Sequence, residues 1–375
     1  MPHLDSKQKI FRDAVHGYIS IPNEYCKKLI DTPIFQRLRR VEQTSMRVLY
    51  PCAHHDRFSH SLGIYYLGNI AFEQLKKNSE KSLRGIDDKI WSEFERTFHM
   101  ACLLHDCGHA PFSHSFELYY DKPPGTLESQ LRKLANNERF SKDLRDSTSN
   151  PHERVSAIIL LKKYGKIIKN LGGDPLLAAR MIIGCQYRYR DKRSNKDLLA
   201  NALIELLNGK AFDVDKLDYA ARDKWASGMS SANIDIFRLL SSLCIGKHSG
   251  KGYVLAFFKS ALSVIEAVLD ARNFQHMWVF SHHKVKYDQY LLTKAVTEMA
   301  KILALGDAEK GSQTLFSINT FFASKPVILG EYKLLLPSDD DLIHMLKVHS
   351  SAIPEAKEWL YRNHRLKPLW KSYAE

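Results

Sequence analysis

The sequence lacks the features of a membrane, secreted or disulfide-stabilised protein. No apolar run approaches the roughly 18 residues that a membrane-spanning helix needs. The first residues, MPHLDSKQKIFRD, are charged and contain no apolar signal core. The six cysteines are scattered without a Cys-X-X-Cys pair, so we interpret them as reduced thiols. These absences predict a cytoplasmic protein that does not enter a membrane.

Positive charge, in contrast, is in excess. The 55 Lys and Arg residues outnumber the 42 Asp and Glu residues, which gives a net charge of +13. Such a surplus favours polyanionic partners, namely nucleotides, triphosphates or nucleic acid, although a solvated lysine-rich face is the alternative. Residues 187–193, YRYRDKR, interleave aromatic and basic side chains. This pattern is typical of weak single-stranded nucleic acid binding, and a solvated loop is again the alternative.

The hydrophobic periodicity is helical along most of the chain. We therefore predict an all-α fold with small β-hairpin additions. A length of 375 residues suffices for a large core with an additional lobe. The signature residues become sparse beyond about residue 236, so we expect a catalytic core over 1–235. A mostly helical C-terminal lobe over 236–375 would pack on this core and contribute to oligomerisation.

Four segments have distinct local predictions. Residues 11–22 alternate loosely around a His-Gly and predict a β-hairpin, and residues 325–336 predict a short strand pair. Residues 121–150 are polar and contain Pro-Pro-Gly, which predicts an inserted, mobile loop. A long helix is expected over 254–281.

Two imidazoles and two carboxylates recur in the order H…HD…D. They are His60 in RFSHSLG, the pair His105-Asp106, and Asp215 in DVDKLDY. A mixed nitrogen and oxygen donor set suits a divalent ion that keeps open coordination positions. Adjacent helical residues point about 100° apart, so His105 and Asp106 reach one ion only near a helix end, which Gly108 supplies. The alternative is a satisfied core histidine followed by a capping aspartate.

The motifs around these residues resemble the signatures of the HD-domain superfamily. The segments that carry the resemblance are RFSHSLG, HDCGHAPFSHSFE, HERVSA and DVDKLDYAARD. More narrowly, the chain is similar to the deoxynucleoside triphosphate triphosphohydrolases, a likeness that VHGYISI, RNFQHMWVFSHHKV and SDDDLIHML extend over nearly its whole length. The resemblance implies an HD-domain helical core and hydrolysis of a dNTP at the α-phosphate, with release of a deoxynucleoside and intact triphosphate.

The resemblance also implies a metal ion and catalytic groups. The ligands of a divalent ion (manganese, iron, zinc, cobalt or magnesium) would be His60, His105, Asp106 and Asp215. The acid/base groups and phosphate contacts would be His109, His114, Glu117 and His152. Because His114 and Glu117 are three residues apart, they can meet on one helix face, where the carboxylate raises the basicity of the imidazole. A surface pair is the alternative.

Substrate contacts follow from the same resemblance. They would be Gln43, Arg57, Lys216, Tyr219, Asp223 and Arg272. The two arginines and the lysine would contact phosphates, since the arginine fork matches phosphate oxygens in pairs. The tyrosine and Asp223 would contact the sugar, and Gln43 the base or the sugar.

The sequence departs from the family at two positions of this pocket. Thr44-Ser45-Met46 stands where the animal triphosphohydrolase of this family has a run of glycines, which leaves the base preference open. Either Phe280 or Ser281 aligns with the aromatic residue that faces the sugar 2′ position. The choice between deoxyribose and ribose therefore also stays open.

An N-terminal segment resembles the activator-nucleotide site between subunits of the animal enzyme. Its matching residues are Asp31, Gln36 and Arg39, for which a helix cap and a surface pair are the alternative. We also expect Arg37, Arg39 and Arg40 to need anions or acidic partners if they share a buried face. The chain is thus expected to form a homo-oligomer that responds to an activating nucleotide.

Two other function classes remain open at this point. The first is another HD phosphohydrolase: a nucleotidase, a cyclic-nucleotide phosphodiesterase or a metal-dependent nuclease. The second is a nucleotide sensor or nucleic-acid-binding protein without turnover. Lys216, Tyr219 and Asp223 favour the triphosphohydrolase, and the complete ligand set argues against a protein that only binds.

Overall fold

The computed structural model describes residues 7–363 with several gaps. The gaps are residues 80–82, 84–85, 146, 189–193, 230–233, 249–251 and 324. Most of the aromatic and basic segment 187–193 therefore lies outside the described residues, and its proposed binding of nucleic acid stays a prediction.

The described part of the chain is mainly helical. The helices before residue 235 are α1 (Asn23–Tyr25), α2 (Pro33–Gln36), α3 (Arg57–Ser79), α4 (Asp88–Leu104), α5 (Thr126–Ala135), α6 (Glu138–Leu144), α7 (Pro151–Ile159), α8 (Gly165–Asn170), α9 (Pro175–Ile182), α10 (Asn195–Leu207) and α11 (Val214–Ser227). Those after it are α12 (Ile236–Ser241), α13 (Leu262–Gln275), α14 (His283–Leu303), α15 (Ala308–Leu315), α16 (Asp339–His349) and α17 (Pro354–Tyr361). Short 3₁₀ and π-helical turns extend several of them. Among the described helices, none combines the length and the apolar character needed to cross a membrane.

The strands form three separate antiparallel pairs. They are β1 (Gln8–Asp13) with β2 (Gly17–Pro22), β3 (Leu243–His248) with β4 (Gly252–Phe257), and β5 (Val327–Leu329) with β6 (Tyr332–Leu334). The predicted all-α class with small β additions is confirmed, as are the hairpins near residues 11–22 and 325–336.

The helix predicted over 254–281 begins later than expected. Residues up to Phe257 belong to β4, and α13 starts at Leu262. The apolar run Val254–Phe258 is too short for periodicity to distinguish a strand from a helix. Pairing with β3 decides in favour of the strand.

The loop predicted over 121–150 is wrong for most of its length, because the segment contains α5 and α6. Leu127 and Leu131 lie four residues apart in α5, and Phe140 and Leu144 lie four apart in α6. All four side chains are buried. This i,i+4 spacing is the helical signal that the polar composition concealed.

One continuous cluster of buried apolar side chains forms the core. It includes Leu103 of α4 and Leu217 of α11, but also Leu240 of α12, Val296 of α14 and Leu346 of α16. Because side chains from both sides of residue 235 share this cluster, the two parts of the chain are packed together. The domain boundary itself stays a prediction.

Candidate metal centre and active site

Three helices bring the predicted metal ligands together. His60 lies in the first turn of α3, His105 and Asp106 follow the last residue of α4, and Asp215 lies in the first turn of α11. Nε2 of His60 is 3.0 Å from Oδ1 of Asp215 and 3.8 Å from Oδ2 of Asp106. Nε2 of His105 is 3.2 Å from Oδ1 of Asp106. The helix end predicted near His105 therefore allows both adjacent side chains to face one point.

Hydrogen bonds fix the orientation of both imidazoles. Nδ1 of His60 donates to Oδ2 of Asp218 at 2.7 Å, and Nδ1 of His105 donates to the carbonyl oxygen of Cys102 at 2.9 Å. Both rings thus present Nε2 to the carboxylates. Nε2 of His105 is buried and has no hydrogen-bond partner among the described residues. A buried imidazole nitrogen that faces the Asp106 carboxylate without a hydrogen bond to it fits a metal ligand, because buried polar groups are otherwise nearly always satisfied.

Asp218 is the centre of a buried network that the sequence prediction missed. Its carboxylate accepts from Nε and Nη2 of Arg222 at 2.8 and 3.0 Å, and from Nε2 of His16 at 2.6 Å. Nη1 of Arg222 also donates to Asp13 at 2.9 Å. A Cβ atom at Gly63 would lie 1.9 Å from Oδ1 of Asp218, which explains the glycine in RFSHSLG. The sequence signal was the i,i+4 spacing of Asp218 and Arg222 in DVDKLDYAARD.

The ionisation of this centre reflects its concentrated negative charge. Burial would lower the pKa of His60, but hydrogen bonds to Asp215 and Asp218 raise it to about 9. Burial opposes ionisation of Asp215, but the hydrogen bond and charge of His60 lower its pKa to about 2. Burial likewise opposes the charge of Asp106, whereas Arg57 and His105 hold its pKa well below the usual range. The negative charge that favours a proton on His60 would also favour a metal cation in its place. The carboxylates stay ionised, as metal ligands must.

Arg57 connects this centre to the neighbouring loops. Its Nη1 donates to Oδ2 of Asp106, its Nε donates to Oγ of Ser113 at 2.7 Å, and its Nη2 donates to the carbonyl oxygen of Gln43 at 3.3 Å. The side chain is buried. The arginine expected to contact phosphate therefore also orients a candidate metal ligand.

A second cluster surrounds Glu117. Nδ1 of His152 lies 2.8 Å from Oε2 of Glu117, and Nδ1 of His109 and of His114 lie 3.0 and 3.1 Å from Oε1. The rings of His109 and His152 stack with their centroids 3.9 Å apart. Glu117 is buried, while the His114 side chain is 66% exposed. The predicted contact of His114 with Glu117 is present, and two further histidines share the carboxylate.

Two of the three histidines, His109 and His152, differ in their tendency to hold a proton. Burial would lower the pKa of His152, but the negative charge of Glu117 raises it. Burial, with the positive charges of Arg57 and His152, lowers the pKa of His109 to about 3. Burial would raise the pKa of Glu117, yet the charge of His152 and the hydrogen bonds from all three histidines hold it far below the usual range. Nε2 of His109 lies 3.2 Å from Oδ1 of Asp106, which joins the two clusters.

Both clusters open into one cavity of about 720 Å³. Four of the expected substrate contacts line it: Gln43, Arg57, Tyr219 and Asp223. The C-terminal part of the chain forms the opposite wall, with Phe280, Val285, Lys286, Gln289, Tyr290 and Thr293. Apart from Phe280, this wall was missed by the sequence analysis, although its members in α14 recur at three- and four-residue steps. The volume lies in the range of small-molecule binding sites, which is roughly 300–1,000 Å³.

Two buried amide or carboxylate oxygens at this cavity have no hydrogen-bond partner among the described residues. One is Oδ2 of Asp223, whose other oxygen accepts from Nε2 of His55 at 2.6 Å. The other is Oε1 of Gln43. Buried acceptors without partners are available to the hydroxyl and amino groups of a ligand.

Lys216 and Arg272 do not line the cavity. The Lys216 ammonium group donates to the carboxylate of Asp213, the N-cap of α11, and to a backbone carbonyl. Arg272 donates from Nε to the hydroxyl of Tyr219 at 3.2 Å. In this structure the lysine is turned away from the cavity, and the arginine supports a residue that lines it.

The residues of the expected activator site lie at the surface. Nε of Arg39 donates to Oε1 of Gln36 at 2.9 Å, and its guanidinium group lies 3.5 Å from the ring centroid of Phe58. Asp31 forms an exposed pair with Lys9 at 3.7 Å. Gln36 and Arg39 are thus in contact, and a role in nucleotide binding stays a prediction.

The three neighbouring arginines do not share one buried face, so they do not together need the anions or acidic partners considered above. Arg37 points inward and donates to the carbonyl oxygens of His109 and Pro337. Arg40 instead forms an exposed ion pair with Asp340 at 3.0 Å. The tight 3₁₀ turn formed by Arg37–Arg40 directs these side chains to different surroundings.

Comparison with known proteins agrees with this geometry. Residues 57–220 match the family model of the HD domain. The chain is 29% identical over 372 residues to the deoxynucleoside triphosphate triphosphohydrolase SAMHD1 of Gallus gallus, covering 98% of this chain and 56% of the relative. It is 27% identical over 305 residues to the SAMHD1 homolog of Dictyostelium discoideum, covering 80% and 51%. It is also 26% identical over 294 residues to the uncharacterized protein YwfO of Bacillus subtilis, covering 77% and 55%. The chain spans about half the length of the curated relatives it matches.

Proposed function

Because residues 57–220 form an HD domain, we propose that this protein is a metal-dependent phosphohydrolase that converts deoxynucleoside triphosphates to deoxynucleosides and triphosphate. One observation carries the proposal. Three of the four candidate metal ligands (His60, Asp106 and Asp215), the three histidines around Glu117, and the acceptors of Gln43 and Asp223 all line one cavity. Two relatives are named as deoxynucleoside triphosphate triphosphohydrolases, which supports the choice of a dNTP as the substrate.

The metal ion would be held by His60, His105, Asp106 and Asp215. The unpaired Nε2 of His105 and the ionised carboxylates beside it support a divalent cation. Manganese, iron, zinc, cobalt and magnesium are all compatible with nitrogen and oxygen donors to differing degrees. When bound, such an ion polarises a phosphoryl oxygen and lowers the pKa of a coordinated water.

In the proposed reaction, water adds to the α-phosphorus and the bond from this phosphorus to the 5′ oxygen of the sugar breaks. The leaving oxygen needs a proton. His114 lines the cavity, and its contact with Glu117 through Nδ1 leaves Nε2 for the substrate. His114, oriented by Glu117, would therefore hold the proton that the 5′ oxygen receives.

The other two histidines around Glu117 would influence where this proton is held. Glu117 raises the pKa of His152, so a proton is retained within hydrogen-bond reach of the carboxylate. Since His109 stays neutral at ordinary pH, it would accept or donate a hydrogen bond without adding charge. His109 and His152, which share the Glu117 carboxylate, thus differ in their tendency to hold a proton beside one cavity.

The triphosphate requires cations. Among the residues lining the cavity, Arg57 is already bound to Asp106, whereas Lys286 forms no ion pair in the described structure. Lys286 would therefore contact phosphate oxygens directly. Lys216 and Arg272, the cations suggested by family resemblance, would first have to leave their present partners.

The sugar would lie near Tyr219 and Asp223. The unpaired Oδ2 of Asp223 would accept a hydrogen bond from the 3′ hydroxyl group. Phe280 lines the same cavity and supplies an apolar surface close to the ribose. Gln43 and the adjacent Thr44 and Ser45 would face the base or the sugar edge.

We also propose that the protein assembles as a homo-oligomer and binds an activating nucleotide at Asp31, Gln36 and Arg39. The contact between Gln36 and Arg39 at the surface places both side chains where they could bind the same nucleotide, which supports this proposal. Sedimentation and activity curves with and without GTP test this idea. A loss of the nucleotide response in Arg39→Ala is expected, and a monomer with no response to any nucleotide would contradict it.

Product analysis tests the proposed activity. The purified chain is incubated with each dNTP and NTP in the presence of Mg²⁺, Mn²⁺ or Co²⁺, and the products are separated by chromatography. Triphosphate and a deoxynucleoside are expected. Release of orthophosphate, pyrophosphate or a nucleoside monophosphate would instead support another phosphohydrolase, and a complete lack of turnover would support a protein that only binds nucleotides.

A further inference from the structure

We propose that Asp339, in the C-terminal part of the chain, is a positioning residue for the active-site loop that precedes His114 and for the segment that carries Gln43. The inference rests on the proposed function insofar as it concerns catalysis. It assigns to the C-terminal part a role in setting the geometry of the catalytic groups, in addition to forming one wall of the cavity.

The Asp339 carboxylate binds two separate segments of the catalytic core. Its Oδ1 accepts from the backbone N–H of Phe112 at 2.7 Å, and its Oδ2 accepts from the backbone N–H of Glu42 at 2.9 Å. The residue is 4% exposed. Phe112 lies two residues before His114, and Glu42 directly precedes Gln43. Each oxygen therefore holds one segment that borders the cavity.

The loop held by Asp339 has an unfavourable backbone conformation. Phe112 and Ser113 have φ angles of 56° and 55°, in the left-handed region. This conformation is sterically unfavourable for a residue other than glycine, because its Cβ atom approaches the backbone. Two such residues in succession need external contacts to stay in place. The hydroxyl of Ser113 donates to the carbonyl oxygen of Glu42 at 2.5 Å, so the two segments bound by Asp339 also bind each other.

A second contact ties the same C-terminal segment to the start of the loop. Arg37 donates from Nη1 to the carbonyl oxygen of Pro337 at 2.9 Å and from Nη2 to that of His109. The ring of Phe112 also packs edge to face against Trp359 of α17, with centroids 5.7 Å apart. Both ends of the loop from His109 to Phe112 thus depend on residues after position 330.

Three consecutive aspartates at the start of α16 provide internal controls. Asp340 forms only the exposed pair with Arg40. Asp341 accepts from the backbone N–H and the hydroxyl of Ser338, which completes a capping box. Only Asp339 reaches the active-site loop, although all three have the same side chain.

The surroundings of Asp339 distinguish it from an ordinary surface carboxylate. Burial raises its pKa to about 7, against the opposing effects of its two N–H donors and of Arg37, while Glu42 adds to the increase. Burying a carboxylate costs free energy, and hydrogen bonds that hold a defined arrangement of the backbone offset this cost. Asparagine has the same shape but replaces one acceptor oxygen by a donor, so it loses one of the two contacts.

Two readouts test the role of Asp339. The first is hydrogen exchange followed by mass spectrometry, which is independent of any activity. In Asp339→Asn, peptides covering residues 107–117 and 40–46 should exchange faster than in the wild type, while Asp340→Asn should match the wild type. Unchanged exchange in both regions would overturn the proposal.

The second readout is kinetic. In Asp339→Asn, kcat for dNTP hydrolysis should fall by roughly 10²-fold, because small displacements of catalytic groups have effects of this size. KM and bound metal should change little. Asp341→Asn, which removes a helix cap, serves as a control for lost stability. Equal kcat values in Asp339→Asn and the wild type, or an equal loss in Asp341→Asn at matched Tm, would overturn the proposal.

The two readouts separate this inference from the proposed function. A wild-type protein that does not hydrolyse dNTPs would contradict the proposed function, and hydrogen exchange would still decide the role of Asp339. If Asp339→Asn does not fold, Asp339→Ser is used with the same criteria, because a serine at this position still suits the first turn of a helix.

Discussion

Nδ1 of His60 donates to Oδ2 of Asp218 at 2.7 Å, while Nε2 of the same ring lies 3.0 Å from Asp215. One imidazole therefore connects a buried carboxylate held by Arg222 to the candidate metal centre. The arrangement resembles the carboxylate–histidine–metal triads that orient ligands and strengthen their basicity. We therefore expect Asp218 to matter for metal binding, although it is not itself one of the four predicted ligands.

Replacement of Asp218 should weaken metal binding. In Asp218→Asn, we expect the affinity for Mn²⁺ or Co²⁺ to fall about 10–100-fold, because the ring of His60 loses its charged hydrogen-bond acceptor. Metal titration with circular dichroism as a check of helix content measures this. Asp270→Asn, at an exposed position of α13, is the matched control. An unchanged affinity in Asp218→Asn would show that the network supports folding alone.

Replacement of Glu117 should separate catalysis from metal binding. In Glu117→Gln, kcat should fall roughly 10²–10⁴-fold with little change in bound metal, since one amide oxygen cannot accept from three imidazoles. Steady-state kinetics and metal analysis of the same sample test this. Glu128→Gln, which alters a partly buried pair with Arg132 outside the cavity, is the control. A fully active Glu117→Gln enzyme would rule out the proposed role in proton transfer.

Replacement of Lys286 should weaken binding of the triphosphate. In Lys286→Gln, KM for dNTPs should rise at least about tenfold, because a hydrogen bond to a charged group contributes roughly 1.5–3 kcal/mol. Lys284→Gln removes an equal charge two residues away, at a position that does not line the cavity. The KM values of the two variants are compared at constant ionic strength. Equal values would mean that Lys286 acts only through the general positive field.

His99 should make the stability of the protein depend on pH. Burial lowers its pKa from 6.5 to about 3, and its ring packs against Tyr65 and Phe72. The unfolded chain therefore takes up a proton that the folded chain does not, so the free energy of unfolding falls as pH decreases from about 6.5 towards 3. The slope for one such group is at most about 1.4 kcal/mol per pH unit.

The variant His99→Phe should show a smaller loss of stability over this pH range. Urea denaturation at pH 7 and pH 5 measures the difference, and His344→Phe at an exposed position serves as the control. If His99→Phe loses as much stability as the wild type between these pH values, other groups account for the acid sensitivity.

The sequence predicted those parts of the site that depend on local motifs. His105 and Asp106 were expected at a helix end because adjacent helical residues diverge, and the structure has α4 ending at Leu104. The helical spacing of His114 and Glu117 likewise predicted their contact. Such relationships follow from the geometry of a single turn, so no knowledge of tertiary packing is needed.

Contacts between distant segments could not be predicted in this way. His152 reaches Glu117 across 35 residues of sequence, and Asp339 reaches Phe112 across 227. Lys286 lies in an ordinary amphipathic helix, and nothing in its local sequence marks it as part of the cavity. Lys216 was expected to contact phosphate, but its ammonium group binds the carboxylate of Asp213 instead. This contact depends on how the start of α11 folds, so the sequence did not predict it.

Hydrolysis of a dNTP in water enriched in ¹⁸O tests the central claim most directly. The metal-loaded wild-type protein and Asp106→Ala are incubated with the substrate, and the products are analysed by mass spectrometry. The proposed reaction predicts one ¹⁸O atom in the released triphosphate, an unlabelled deoxynucleoside, and no turnover by Asp106→Ala. Label in the deoxynucleoside, release of orthophosphate or pyrophosphate in place of triphosphate, or full activity of Asp106→Ala would contradict it.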